Sequence, residues 1–284
     1  MEEQKPAPLN RLLRELPPGL LADTRWLQAH GQTRSLIHDH VRKGYLERLS
    51  ARLYRRTSSE TADRVRWEVA VISAQQLNGA AVHVGGPTAL AMLGKAHYLR
   101  LSGEHRVYLY DADHTAPTWL RSLQVSADFV IRTKSMFVDA SLGVDWRRID
   151  LGTGRLGAER VDPKVVEPWD HFLRISGEER AIIELMDEIP ETVGFEHADE
   201  IFQSLTNLRP SVLTRLLQAC TSIKAKRLFL FYADRHDHSW RRRVAADAVD
   251  LGKGKRQLAR GGRLDPTYQI TVPAELLARN PDAA

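Results

Sequence analysis

The chain has 284 residues, 43% of them hydrophobic, with 41 Lys and Arg against 36 Asp and Glu and a sequence pI of 9.4. That hydrophobic share excludes a disordered chain, and the length fits one large domain or two. A single cysteine, Cys220, excludes an internal disulfide, and no apolar run approaches the ~18 residues of a membrane helix, so a cytoplasmic protein without a membrane partner is expected. Behind the acidic start Met1-Glu2-Glu3-Gln4 no secretory segment is expected. Cys220 follows Leu216 and Leu217 in an apolar stretch and is expected to be buried and inert.

Leu9, Leu12, Leu13 and Leu16 recur at helical spacing and predict a short helix, ended by Pro17-Pro18-Gly19. Asp23 is the expected N-cap of a second helix, from Thr24 to about His30, that offers Trp26 and Leu27 to the core. Gly31 marks a sharp turn. A third helix is expected over about 33–43, closed by Gly44 in the left-handed conformation. On a helical wheel Leu36, Ile37, His40 and Val41 share one side. Ser35, His38, Asp39 and Arg42 share the other, with Arg34 flanking. Residues 45–49 and 53–56 then form a two-stranded hairpin with Arg52 at its tip. Helix, helix, tight turn, helix and basic hairpin is the order of a winged helix-turn-helix.

Charge supports this reading. Ten basic residues stand against four acidic ones between positions 9 and 56. Arg34, Ser35 and His38 occupy the first turns of the third helix, where base edges come within reach. Arg42 and Lys43 at its end, and Arg52 and Arg55 on the hairpin, are expected at phosphates. Asp39 would repel a phosphate, so it either reads a cytosine amino group or orients a neighbour. His40 points inward as a core histidine. The alternative is a small helical module for protein contact.

Thr57-Ser58-Ser59-Glu60-Thr61 reads as a linker. It divides a domain at 1–57 from a larger mixed α/β domain at 58–284, with a further break near 167, and the fold class is α+β. A helix is expected over about 62–77, and further helices begin near Pro87, Ser176, Glu196, Ser211 and Ser222. Strands are expected at 81–84, 106–110, 129–131 and 268–272. Ser176-Gly177-Glu178-Glu179 has the pattern of a capping box. No repeat of fixed period is present.

Three constellations could carry chemistry. Gly85-Gly86 follows a strand and precedes a helix, with Asp111-Ala112-Asp113 later. A glycine-rich turn for phosphates and an aspartate pair for magnesium would make a nucleotidyltransferase or nuclease using Asp111 and Asp113. Asp111 lies 25 positions beyond Gly86, however, and a tight turn is the simpler account. His236-Asp237-His238 could share a metal, yet no cysteine or further spaced ligand supports zinc, and an exposed polar loop is expected. Between positions 224 and 263, twelve cations face four acids. The core of that segment, Leu251-Gly252-Lys253-Gly254-Lys255-Arg256, lacks the glycine spacing and final Ser/Thr of a phosphate-binding Walker loop. It is either a solvated basic face or a surface for an anionic partner, DNA beyond the hairpin or nucleic acid linked to another protein.

Several of these segments together resemble the AbiEi antitoxins. The C-terminal part of the resemblance lies in Lys226-Arg227-Leu228-Phe229-Leu230, Trp240, Leu251–Arg256 as spelled out above, Gly261-Gly262-Arg263 and Tyr268-Gln269-Ile270-Thr271-Val272-Pro273. Val41-Arg42-Lys43-Gly44-Tyr45-Leu46 with Leu53-Tyr54-Arg55-Arg56, and Gly85-Gly86-Pro87-Thr88-Ala89-Leu90, carry the rest. The resemblance covers most of the chain, with little to match between about 115 and 166. It implies a bacterial type IV antitoxin that represses its own operon at inverted repeats in duplex promoter DNA. It also implies counteraction of a nucleotidyltransferase toxin, without a stable complex. Carried over, the DNA role falls on Arg34, Ser35, His38, Arg42, Lys43, Arg52 and Arg55, and the antitoxin role on Lys253, Lys255 and Arg256. No catalytic residue, metal or cofactor is expected.

Overall fold

The computed structural model describes residues 7–58, 64–95, 106–165 and 169–277. The chain begins with α1 (Pro8–Glu15), β1 (Leu21–Asp23), α2 (Thr24–Ala29), α3 (Arg34–Arg42), β2 (Leu46–Ser50), β3 (Leu53–Arg56) and α4 (Trp67–Gln76). There follow β4 (His83–Val84), α5 (Gly86–Met92), β5 (Arg106–Tyr110), α6 (Thr118–Ser122), β6 (Asp128–Arg132), β7 (Val144–Ile149), β8 (Leu156–Arg160) and β9 (Phe172–Ser176). Helices α7 (Glu178–Glu188), α8 (Phe195–Gln203), α9 (Pro210–Ala219) and α10 (Ile223–His236) lead to three short strands, β10 (Arg256–Gln257), β11 (Arg263–Asp265) and β12 (Ile270–Val272). The class is α+β, as expected. The described residues fall into two compact units. One is drawn from Met1–Val82, His114–Phe129 and Trp146–Arg174, the other from His83–Asp113, Val130–Asp145 and Ile175–Ala284.

In the first unit, β1, β3 and β2 form an antiparallel sheet in that order. Leu12, Leu16, Leu21, Leu27, Ile37, Leu46 and Leu53 fill the space between this sheet and the three helices. Burying each such side chain is worth about 1.5–3 kcal/mol. Asp23 ends β1 opposite Leu53, and its Oδ1 accepts from the Trp26 amide at 2.7 Å, so one residue closes a strand and caps α2. The Leu21 amide donates to Ser73 Oγ at 2.9 Å, which ties β1 to α4. The expected helix start at 62 and the expected break near 167 lie outside the described residues.

In the second unit, β4 pairs antiparallel with β5 (His83 with Tyr110) and parallel with β9 (Val84 with Ile175). α7 is its central helix, packed against α5, α9 and α10, with Ala181, Ile182, Ile183, Leu185 and Met186 all buried. The capping box expected at Ser176 does not form. Gly177 is the N-cap, Ser176 Oγ donates to Glu184 at 2.8 Å, and Glu179 accepts from Arg209 instead. Both side chains are buried and are claimed by tertiary partners that outcompete the local cap. The loop expected to expose His236 is corrected as well. His236 is the last residue of α10, buried against Phe202, and its Nε2 meets Asp199 Oδ1 at 2.7 Å.

Candidate nucleic-acid interface

α3 is positioned by its buried side. Thr33 Oγ1 accepts from the Leu36 amide at 3.3 Å and starts the helix. Ile37 and His40 are buried beneath it. Gln32, also buried, donates through Nε2 to the Pro8 carbonyl (2.9 Å) and offers Oε1 to His40 Nε2 (3.1 Å). His40 therefore carries its hydrogen on Nε2. Burial lowers its pKa, Lys43 lowers it further and Asp39 opposes them, so the ring is neutral at pH 7. Gly44, at φ +76°, ends the helix in the left-handed region, and the Tyr45 amide bonds back to the His40 carbonyl.

With that side fixed, Arg34, Ser35, His38, Arg42 and Lys43 are all exposed. Arg34, His38 and Arg42 are spaced four residues apart, one stripe along the helix. Asp39 holds the exposed Arg42 by an ion pair of 2.8 Å, the neighbour-orienting role expected of it as one of two choices. The helix packs beside β2. At the hairpin tip Arg52 is exposed, and its carbonyl accepts from the Thr24 amide at 2.9 Å, which anchors the tip to α2. Arg48, counted among the basic residues but given no role, is also exposed, and its guanidinium curls back to the Ser50 carbonyl at 3.1 Å. Strand alternation is the available signal: Arg48 and Ser50, two residues apart on β2, are both exposed, while Glu47 and Leu49 are half-buried.

Arg55 is the correction. It was expected at a phosphate, but it is only 7% exposed. Its Nε and Nη2 both donate to Glu47 Oε2, at 2.9 and 2.6 Å, across the hairpin. Arg56 is likewise turned inward. It donates to the carbonyls of Leu13 (2.7 Å) and Leu16 and so closes the open end of α1.

The C-terminal basic segment forms a separate surface. Lys253, Lys255 and Arg256 are all exposed. Lys253 and Lys255 project from a loop whose turns at Gly252 (φ +64°) and Gly254 (φ +77°) are left-handed, and Arg256 opens β10 directly after it. Arg227 on α10, itself buried, holds the loop from beneath. Its Nε donates to the Leu251 carbonyl (2.7 Å) and its Nη1 to the carbonyls of Gly254 (2.7 Å) and Gln269 (3.3 Å). Sequence reasoning placed Arg227 in a motif without seeing this job. Its position directly before the apolar run Leu228-Phe229-Leu230-Phe231 was the available signal.

The Gly85-Gly86 turn receives an anion from within the protein. Glu184 of α7 is fully buried and accepts from the Gly86 amide (2.9 Å), His83 Nε2 (3.0 Å), Ser176 Oγ (2.8 Å) and Arg180 Nε (2.7 Å). Burial alone would push its carboxyl up, but Arg180 and His83 and their hydrogen bonds bring it to about 2. A Cβ at Gly85 would overlap the Glu184 carboxylate and the Tyr110 ring, which explains the glycine. Asp111 is buried after β5 and Asp113 is exposed on the following turn. His236 and His238 go to different partners, Asp199 Oδ1 and the Phe202 carbonyl (2.9 Å). Among the described residues no group of three or more His, Cys, Asp or Glu could hold a metal ion. Cys220 is buried and its thiol is pushed up to about 11, so it is not a reactive thiolate. No described helix is long and apolar enough to cross a membrane.

Comparison with known proteins places this architecture. Residues 5–101 match the family described as transcriptional regulator, AbiEi antitoxin N-terminal domain. Residues 104–273 match transcriptional regulator, AbiEi antitoxin, type IV TA system. The crystal structure of the RV2827C protein from Mycobacterium tuberculosis is similar, with a TM-score of 0.51 and 17% identity over 96% of this chain and 94% of that one. At that identity the likeness concerns the fold alone. No curated protein matches the sequence.

Proposed function

The chain belongs to the AbiEi antitoxin family of type IV toxin–antitoxin systems, a family of transcriptional regulators, and we propose that it represses its own operon by binding inverted repeats in duplex promoter DNA. The observation that carries this reading is the stripe of Arg34, His38 and Arg42 on α3, exposed beside a hairpin with Arg52 at its tip. α3 enters the major groove. Arg34, Ser35 and His38 sit at its N-terminal end and meet base edges, where an arginine can bind a guanine through two parallel hydrogen bonds. Arg42 and Lys43 bind phosphates at the far end, with Arg42 held in place by Asp39. Arg48 and Arg52 follow the flanking backbone. Arg55 takes no part, because Glu47 already neutralises it.

The second half of the reading is antitoxin activity. The chain counteracts a nucleotidyltransferase toxin in the cytoplasm without a stable complex, through the surface of Lys253, Lys255 and Arg256. It does so without catalysis of its own: the Gly85-Gly86 turn is filled by Glu184, and Asp111 is buried while Asp113 is exposed. A reporter fused to the promoter of the chain's own operon tests the repressor half. The wild-type chain should silence it, and Arg34→Ala combined with Arg52→Ala should restore expression. Full silencing by that double variant would remove α3 and the hairpin from the account.

A further inference from the structure

The segment 251–264 holds five cations and no acid: Lys253, Lys255, Arg256, Arg260 and Arg263 alternate with glycines and small residues. All five are exposed, and none forms an ion pair among the described residues. The backbone that carries them is nevertheless pinned. Arg227 binds the carbonyls of Leu251, Gly254 and Gln269 from below. Thr271 Oγ1 accepts from the Leu258 amide at 2.8 Å. β12 pairs with β10 on one side, at Arg256 and Ile270, and with β11 on the other, at Arg263 and Val272. A side chain at Gly262 would overlap the Val272 carbonyl, so the second turn also lies tight against the strand. Arg227 is held below its usual pKa by burial and then by the charge of Arg256, a sign of positive charge crowded without a counter-charge.

The surroundings separate the partners such a surface could take. A protein interface needs an apolar centre inside its charged rim. The exposed large hydrophobic residues of the described chain are Tyr45, Val138, Val165 and Trp169, and none lies in this segment. A single-stranded nucleic acid would be held by aromatic rings on which its bases stack. The one aromatic residue between positions 251 and 277, Tyr268, is buried and bound to Asp234. What remains is a rigid array of cations with neither feature, which suits the phosphodiester backbone of a duplex.

We propose that Lys253, Lys255, Arg256, Arg260 and Arg263 form a second nucleic-acid site, one that grips the phosphate backbone of duplex DNA or RNA independently of base sequence. The site deepens the antitoxin reading and rests on it for the purpose it serves, not for its chemistry. Backbone contact releases counterions, so affinity falls steeply with salt and each lost contact lowers the slope of log affinity against log salt by about 0.9.

The test uses the full chain carrying Arg34→Ala and Arg52→Ala, so that α3 and the hairpin contribute little. Fluorescence anisotropy is read on a random-sequence DNA duplex and on an RNA hairpin of equal length. Adding Lys253→Ala, Lys255→Ala and Arg256→Ala should weaken binding at least tenfold on one or both probes and lower the salt slope by about 2.7. Loss on both assigns a general backbone site, and loss on the RNA alone assigns an A-form site. Unchanged affinity and slope on both probes would overturn the proposal. So would polyglutamate bound as tightly as either probe, which would favour an acidic protein. Rescue of growth from the toxin is scored separately. Variants that lose backbone binding yet still rescue would leave the site standing and remove the antitoxin reading. Variants that bind normally but fail to rescue would do the reverse.

Discussion

Glu47 on β2 and Arg55 on β3 stand directly opposite each other in the hairpin register, and their side chains meet at 2.6 Å. Arg52, three residues earlier, has no such partner among the described residues and is exposed at the tip. The two arginines should therefore fail differently. Arg55→Ala should destabilise the fold by about 1–2 kcal/mol, since it removes a charge-assisted pair that water screens on the Glu47 side. It should leave the salt slope of promoter binding unchanged. Arg52→Ala should leave the melting temperature unchanged while lowering that slope by about 0.9. Thermal melts and salt titrations of both variants check the contrast.

Asp39 offers a second separation. Its ion pair with Arg42 is exposed, with the arginine side chain 68% accessible, so it adds little to stability. Asp39→Asn should melt with the wild-type chain. It removes a negative charge from the DNA face and releases Arg42, so affinity for random duplex should rise while preference for the operator falls. Competition between the two DNAs reads both effects.

Much of this face was legible in the sequence, and the reasons it was not wholly so are local. α1, α2 and α3 carry apolar residues at helical spacing, and α2 and α3 cap with Asp23 and Thr33, so period and caps agree in those two. β1 is three residues long, too short to show a period of two. β7 and β8 present mostly half-exposed or exposed positions, so hydrophobic alternation is muted there. A count of cations could not tell Arg55 from Arg52. The cross-strand partner decides that, and it is set by the register of a hairpin whose turn lies at Ala51 and Arg52. Ser176 and Glu179 had the spacing of a cap, but tertiary partners, the buried Glu184 and the exposed Arg209, claimed them. Arg227 shows the same limit: its three carbonyl partners lie 24 to 42 positions away.

The buried carboxylate at the Gly85-Gly86 turn predicts an acid-sensitive fold. The Glu184 carboxyl sits at about 2 in the folded chain against 4.5 for an ordinary glutamate. The unfolded chain thus takes up this proton first as pH falls. The stabilisation is complete above about pH 4.5 and is lost progressively towards pH 2. Glu184→Gln should cost about 3–5 kcal/mol near neutral pH, because Arg180 is left buried without its counter-charge. It should also flatten the fall in stability on the acid side. Denaturant titrations near neutral pH and at about pH 3 measure both. A variant as stable as the wild-type chain would contradict the network.

The central claim is that α3 and the hairpin tip read duplex DNA. The most direct measurement is the affinity of the full chain for its own promoter across a salt series, set beside Arg34→Ala with Arg52→Ala. The account predicts tight, steeply salt-dependent binding by the wild-type chain. For the double variant it predicts an unchanged melting temperature, at least a tenfold loss of promoter affinity and a salt slope lower by about 0.9, the share of the Arg52 phosphate contact. Equal affinities and equal slopes for the two proteins would contradict it.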